Sequence, residues 1–422
     1  MKNNTEVKRI IETLSDNELL DLESRLSFNF FWEMANSDLS SPGYGLCRDR
    51  YPDNTEIASI ASVGFALSAL VVGVERNWIT WQEGYSRALG TINTMLRLQI
   101  PEMGYFTYHF VDIKTGKRWT DCEVSIIDSA IVVNGALCAG EYFGGDIKLK
   151  AKELYENIDW SWYADREKRQ FYMGYDPVRG FSGHWDVYAE QLMLYTLAAS
   201  APTKPVDDEI DLYNNFIRSK SSYRELPPFI HSWFGSLFTH QLSFIWDDYR
   251  NKIDKNGIDW WENSIIATKS NIAYCVDMHK DFKTYGINSW GLTACDGPNG
   301  YNGSYGAVPN GSNSKQNTSD GTVPPSGVAG SIVFTPKEAI DSLRNFYENY
   351  DGKIFGKYGF IDGFNLDCTE SGWFASSFIG INKGITLLMI ENYRTGLIWK
   401  LMNQNKYIQD GFEKLGITNK NI

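Results

Sequence analysis

The stretch VSIIDSAIVVNGALCAGEY, residues 124–142, decides how this chain must fold. It is long enough for about five helical turns, and beyond Asp128 it is almost wholly apolar on every face. A helix with no polar face must be enclosed by other helices. The sequence from Thr55 to Arg76 has the same character and predicts a second enclosed helix. Segments of the opposite kind lie around these two. Ser15-Asp16-Asn17-Glu18 and Thr80-Trp81-Gln82-Glu83 are capping boxes, opening amphipathic helices that run to about Asn36 and Leu98. Further helices are expected near 146–158, 187–200, 208–218, 239–250 and 259–281. Thr335-Pro336-Lys337-Glu338 combines a cap, a proline at the first helical position and a box glutamate, predicting a helix over 336–350. Ile381 to Met402 is the last. Gly104 to Trp119 alternates aromatic and polar residues around Lys114-Thr115-Gly116-Lys117, the pattern of a β-hairpin.

This alternation of enclosed and amphipathic helices suits a double ring, the inner helices wrapped by the outer. No βαβ rhythm or short repeat is present, which disfavours a Rossmann or TIM architecture. The expected fold is all-α with a small β-hairpin and long loops. Residues 1–27 read as an N-terminal helical extension, and 28–422 as a single domain. Asp296 to Gly330 is rich in Gly, Asn, Ser and Pro and carries Tyr301 and Tyr305; a stretch of that length without periodicity is expected to be an active-site loop.

Composition narrows the function. With 40 basic and 52 acidic residues the net charge is −12, and no Lys/Arg cluster offers a track for phosphates, so nucleic acid is not an expected partner. No apolar run approaches the length of a membrane span, the most apolar stretch being Ile57 to Val74, so no membrane partner is expected either. Met1 to Leu20 lacks a signal-peptide core, which makes the cytoplasm the expected location, with secretion the alternative if a leader has been removed. The six cysteines show no CxxC or Cys/His spacing and read as reduced, mostly buried thiols. Aromatics make up 14% of the chain, including 14 Trp and 24 Tyr, enough to supply both a helical core and sugar-stacking surfaces. The oligomeric state is not legible.

Two carboxylate sites stand out. In Asp121-Cys122-Glu123-Val124-Ser125-Ile126-Ile127-Asp128, helical spacing would set Asp121, Ser125 and Asp128 on one face at the mouth of the enclosed helix. Such carboxylates are costly unless solvated, paired or used; a capping aspartate and a hydrogen-bonded neighbour would explain them equally well. In Gly183-His184-Trp185-Asp186-Val187-Tyr188-Ala189-Glu190, Glu190 stands at the entrance to a second buried helix, where a first-turn glutamate favouring the helix dipole is the plainer reading. Together they fit the acid pair of glycoside hydrolysis. The histidines (His109, His184, His231, His240, His279) lack HxxxH or HExxH spacing, so no metal and no other cofactor is expected. His109 and His240 are candidate hydroxyl binders, though structural hydrogen bonding is the commoner fate of such residues.

Longer motifs carry a family resemblance. Phe31-Trp32-Glu33, Gly45-Leu46-Cys47-Arg48-Asp49-Arg50, Ala58-Ser59-Ile60-Ala61-Ser62-Val63-Gly64-Phe65, Glu123 to Ala130, Tyr188-Ala189-Glu190, Leu237-Phe238-Thr239-His240-Gln241, Trp290 to Pro298, Asp320 to Pro325 and Ile390 to Leu397 follow one another in that family's order. The chain resembles the bacterial glucoamylase-like domain, shared by endo-β-1,2-glucanases and the processing region of cyclic β-1,2-glucan synthases. The resemblance implies an (α/α)6 toroid with a glycan cleft at one end, and a β-glucan or its oligosaccharides as substrate. It implies Glu190 as general acid, with Asp121 or Asp128 as the carboxylate that activates water. Trp185, Tyr188, Trp246, Tyr305 and Trp373 are then candidate stacking platforms. Arg48, Asp49, His109, Ser125, His240 and Asp296 are candidate hydroxyl binders, and the 299–322 loop is a candidate closure. The sequence departs from the pattern at Ser125 and Asp128, where the glucanases carry Asp and Glu. It departs again at Asn382-Lys383, where many relatives have Asp-Gln; a lysine near a sugar subsite would fit an anionic or modified glycan, or simply a lost contact. Glycosyl transfer, phosphorolysis and non-catalytic glycan binding are the rival readings.

Overall fold

A computed structural model describes residues 14–202, 209–312, 319–350 and 352–420. Helices dominate: α1 (Asp16–Met34), α2 (Ile60–Glu75), α3 (Trp81–Leu98), α4 (Ile126–Phe143), α5 (Gly145–Asn157), α6 (Leu192–Ser200), α7 (Glu209–Asn214), α8 (Trp260–Met278), α9 (Pro325–Gly330), α10 (Pro336–Glu348), α11 (Gly380–Arg394), α12 (Leu397–Met402) and α13 (Lys406–Leu415). Both capping boxes form as expected, Ser15 with Glu18 and Thr80 with Glu83.

The helices apolar all round are enclosed. Nearly every residue of α2, α4, α6 and α11 is buried, whereas α1, α3, α5, α10 and α13 bury one face each. Within the inner set α2 packs on α4 and α11, α4 on α6, and α11 on α9. Outside them α1 covers α2 and α11, α3 bridges α2 and α5, and α13 backs α6. Two glycines permit the close approach of α2 and α4. A Cβ on Gly64 would lie 2.4 Å from the Ile131 carbonyl oxygen, and one on Gly135 only 2.1 Å from that of Gly64. Ile126–Phe143 is, among the described residues, long and apolar enough to cross a membrane, contrary to the estimate from run length; 83% of it is buried inside the protein.

Several boundaries differ from expectation, each for a tertiary reason. The helix expected from Thr55 starts at Ile60, because Ile57–Ser59 is a strand paired with Phe110–Asp112. The Lys114–Lys117 turn exists, with the Asp112 N–H donating to the Lys117 carbonyl, but Phe110–Asp112 finds that distant strand instead of forming a simple hairpin. Val124–Ser125 is likewise a strand, and α4 begins one residue later. The expected 239–250 helix is two 3-10 turns, Leu237–His240 and Ser243–Ile245, because Gln241 and Ser243 spend their side chains on neighbouring backbone. The last expected helix breaks at Gly396, which is left-handed with φ 67°. Pro336 opens α10 as predicted, but Thr335 makes no side-chain cap.

The domain boundary placed at 27/28 falls inside α1, a continuous helix that buries Leu19 and Leu20 as well as Phe28 and Phe31; residues 1–13 of that extension lie outside the described residues. The 296–330 region contains structure that its composition hides: a hairpin of Cys295–Gly297 with Gly300–Asn302, and α9. The composition also conceals the hairpin of Gln170–Asp176 with Gly180–His184, the element that matters most for the site. Among the described residues all six cysteines are unpaired; Cys122 is half-buried, Cys368 exposed and the others buried.

Candidate active site

One cleft joins two cavities of about 470 and 450 Å³, and Met173, Trp185 and Glu190 belong to both linings. The larger cavity is aromatic, walled by Trp185, Trp233, Phe234 and Phe238. The other is acidic, with Asp121, Glu123, Asp128 and Asp176 facing His109 and Arg179. Glu190 stands at the seam.

The backbone around Glu190 is fixed from several sides. Trp185 N–H donates to the Phe171 carbonyl, and Tyr188 N–H to that of Ile217. The buried Tyr188 ring stacks on Trp260 at 5.0 Å. The Ser243 hydroxyl donates to the Glu190 carbonyl and accepts the Met193 N–H. Glu190 itself precedes α6 instead of sitting in its first turn. A glutamate serving the helix dipole would have its pKa lowered. Burial instead pushes the Glu190 carboxyl up to about 7, and the nearby Asp128 carboxylate adds to the effect.

The acidic cavity is assembled by the Gln170–Asp176/Gly180–His184 hairpin. Its Gly174 pairs with Ser125, so one small sheet ties the start of α4 to the wall of the cleft. Ser125 is the N-cap of α4: its hydroxyl donates to Asp128 Oδ2 at 2.5 Å and accepts the Asp128 N–H at 3.3 Å. Asp121 is exposed in the preceding turn, so Asp121, Ser125 and Asp128 do not share a helical face; the turn nevertheless delivers Asp121 to the same cavity. His109 lies between two acids, with Nδ1 2.8 Å from Glu123 Oε1 and Nε2 3.6 Å from Asp128 Oδ1.

A second polar cluster lies close to His109 through Asp49. Arg50 contacts both Asp49 and Asp296, at 3.2 Å each. Ser377 donates to the buried Asp296, whose N–H donates to Asp362. Burial, with the Asp296 carboxylate nearby, pushes Asp362 up to about 7. Asn382 donates to Asp362 Oδ1 at 2.7 Å, so this departure from the family pattern supports the cluster. Lys383 does not approach a sugar site: it is buried against Glu23 of α1 at 2.7 Å, which removes the reason to expect an anionic glycan.

The other candidates divide. Trp185 lines the cleft as a buried wall. Three expected platforms are core residues: Tyr188, Trp246, whose Nε1–H donates to Ser68, and Tyr305, whose hydroxyl donates to Asp320. Trp373 is half-buried in the Phe364–Asn365/Trp373–Phe374 ladder, outside the lining of both cavities. His240 is buried away from the cleft beside Tyr188 and Phe229, and burial pushes its pKa down to about 3, so it is not a hydroxyl binder there. Arg48 is half-buried on backbone bonded to Met34 and is also outside both linings.

Sequence reasoning missed Glu123, Trp233, Phe234, Phe238 and Asp362. The exposure of Trp233 (50%) and Phe234 (36%) in an otherwise well-packed molecule marks them as surfaces for a ligand. The signal available was the local run Trp233-Phe234-Gly235-Ser236-Leu237-Phe238, too apolar for an ordinary loop. Gly235 there has φ 70°, and its Cβ position lies 2.0 Å from the Ala307 carbonyl oxygen, so the 300–312 segment seats directly on the aromatic wall. Among the described residues no group of three or more His, Cys, Asp or Glu is placed to hold a metal ion.

A family model described as putative glucoamylase matches residues 182–406. A crystal structure of a putative glucoamylase from Bacteroides uniformis is similar over 96% of this chain and 98% of its own, at 30% identity and TM-score 0.84. The endo-β-1,2-glucanase from Chitinophaga pinensis, in complex with sophorotriose and glucose, is similar over 96% and 99% respectively, at 26% identity and TM-score 0.83. A curated relative from Parabacteroides distasonis, exo β-1,2-glucooligosaccharide sophorohydrolase (non-reducing end), is 26% identical over 95% of this chain. The chain spans 58% of that relative's length.

Proposed function

This chain belongs to the putative glucoamylase family, and we propose on that footing that it is a glycoside hydrolase cleaving a β-glucan or its oligosaccharides, with β-1,2-linked glucose chains as substrate. The observation that carries this reading is the state of Glu190. It is a carboxyl held up to about 7 at the seam of an aromatic and an acidic cavity. Such a group can give a proton to a glycosidic oxygen near neutral pH.

Glu190 is the general acid in this mechanism. Asp128 is the partner carboxylate: Ser125 fixes one of its oxygens, while the other faces His109 at 3.6 Å and remains open to a water or a sugar hydroxyl. Asp121, at the exposed rim, binds hydroxyls. The aromatic wall of Trp233, Phe234 and Trp185 stacks on glucose rings, whose axial C–H faces are apolar enough to displace water from it. The relatives acting on β-1,2-linked glucans support the linkage.

The same reading extends to the architecture, as an (α/α)6 toroid. Its inner positions are α2, α4, α6, the 237–245 turns, α9 and α11. The turns replace one inner helix and contact α8, α9 and α11.

A panel of β-1,2-, β-1,3- and β-1,4-linked glucooligosaccharides, incubated with and without inorganic phosphate and followed by product chromatography, tests the assignment. The β-1,2 series should be cleaved, with reducing ends released independently of phosphate. Sugar phosphates as products, or preference for another linkage, would sink it.

A further inference from the structure

We propose that His109 is a positioning residue for the partner carboxylate: an imidazolium cation held between Glu123 and Asp128 that turns Asp128 toward the substrate. The inference rests in part on the reading of Asp128 above, but its first half stands alone.

The geometry is that of an imidazole with a carboxylate at each nitrogen. Nδ1 lies 2.8 Å from Glu123 Oε1, and Nε2 lies 3.6 Å from Asp128 Oδ1. A neutral imidazole donates from one nitrogen and presents a lone pair from the other. Either neutral tautomer would therefore point that lone pair at a carboxylate, whereas the cation attracts both. The ring cannot easily turn away. It stacks on Phe110 at 3.8 Å, while the backbone of His109 is held at both ends, its amide N–H donating to the Glu123 carbonyl and its carbonyl accepting the Ile60 N–H at the start of α2.

The charged groups around the ring come from three directions. Glu123 precedes the Val124–Ser125 strand, Asp128 comes from α4, and Asp49 comes from the segment ahead of Tyr51. Arg50 engages Asp49, and Arg118 beside Glu123 is bonded to Asp176 and the Cys122 carbonyl. Burial works against the charge of His109, but Asp128, Glu123 and Asp49 outweigh it and push the imidazole up to about 9.

The arrangement explains how several acids share one cavity. A fixed cation stands on the Asp128 side, between Asp128 and Glu123, while Glu190 stands at the seam of the two cavities with its carboxyl pushed up by burial. The 3.6 Å separation leaves Asp128 Oδ1 with capacity to accept from a substrate hydroxyl or water.

The test has two arms. In the wild-type protein, ¹⁵N NMR of the histidine rings, with His109 assigned through His109→Gln, should show both ring nitrogens protonated at pH 7 and titration centred near 9. Asp128→Asn should move that titration down. In activity assays on a β-1,2-glucooligosaccharide, His109→Gln should lower kcat on the order of tenfold with little change in KM. His109→Lys, which puts a cation back beside Asp128, should recover most of that rate. A neutral imidazole at pH 7 overturns the proposal, as does a His109→Gln variant that raises KM alone. If the protein cleaves no glycan, the ring titration still decides whether the clamped cation exists, so the two readings fail separately.

Discussion

Glu190→Gln should reduce kcat by about three orders of magnitude, the upper range for removal of a general acid, while KM changes little. The glutamine keeps the shape of the cleft and the Ser243 contact to the backbone at position 190, so binding persists and only proton delivery is lost. The wild-type pH profile should carry the same signature. The acid acts only while protonated, so kcat/KM should fall as pH rises through about 7, the value to which burial and Asp128 push this carboxyl. A Glu190→Gln profile should lack that limb. Stability provides the control. The folded-state pKa lies above the unfolded value of 4.5, so the stability that Glu190 contributes is fully present below about pH 4.5 and is lost as pH rises through about 7. Glutamine cannot ionise, so the inactive variant should melt no lower than wild type at pH 8. A variant that melts early instead would mean that activity fell with the fold.

Asp128→Asn is the second large effect, expected at about a hundredfold to a thousandfold in kcat for loss of a positioned base. Asparagine can still accept from the Ser125 hydroxyl, which now donates to Asp128 Oδ2 at 2.5 Å, so the N-terminus of α4 should hold. The negative charge beside His109 disappears, however, and with it the group able to take a proton from water. In Asp128→Ala, where truncation opens the position, added azide or formate should recover part of the rate by taking over that role. Asp121→Asn is the comparison: at the exposed rim, it should raise KM more than it lowers kcat. Equal loss of kcat in both variants would shift the base assignment toward Asp121.

The enclosed and amphipathic helices were legible from the chain because they rest on local signals. Ser15 with Glu18 and Thr80 with Glu83 cap where expected, and α2 and α4 are buried because no face of either is polar. The errors cluster where a partner distant in sequence decides the outcome. Ile57–Ser59 could extend a helix, but it pairs with Phe110–Asp112, more than fifty residues away. Leu237 to Asp247 is as apolar as an inner helix, yet Ser243 and Gln241 commit themselves to Glu190 and Gly327 instead.

The site shows the same division. Glu190, Asp121, Asp128 and Trp185 do meet around one cleft, because each stands beside an enclosed helix whose end opens there. The aromatic platforms were misplaced because residue type does not distinguish a Trp that fills the core from one that faces a ligand. Trp246 is wholly buried and bonded to Ser68, while Trp233, in a loop, is half exposed at the cavity wall. His109 was legible as a polar residue near the site, but its two carboxylates come from opposite sides of the same strand-to-helix junction, which only the fold brings together.

The most direct test of the central claim is a crystal structure of the Glu190→Gln variant with a β-1,2-linked glucooligosaccharide. The glycan should cross the seam, with a glycosidic oxygen within about 3 Å of the Gln substituted for Glu190, the reach required of a proton donor. A glucose ring should lie against Trp233, with the Asp128 carboxylate facing the same linkage. A chain bound wholly to one side, with every linkage beyond reach of position 190, would contradict it.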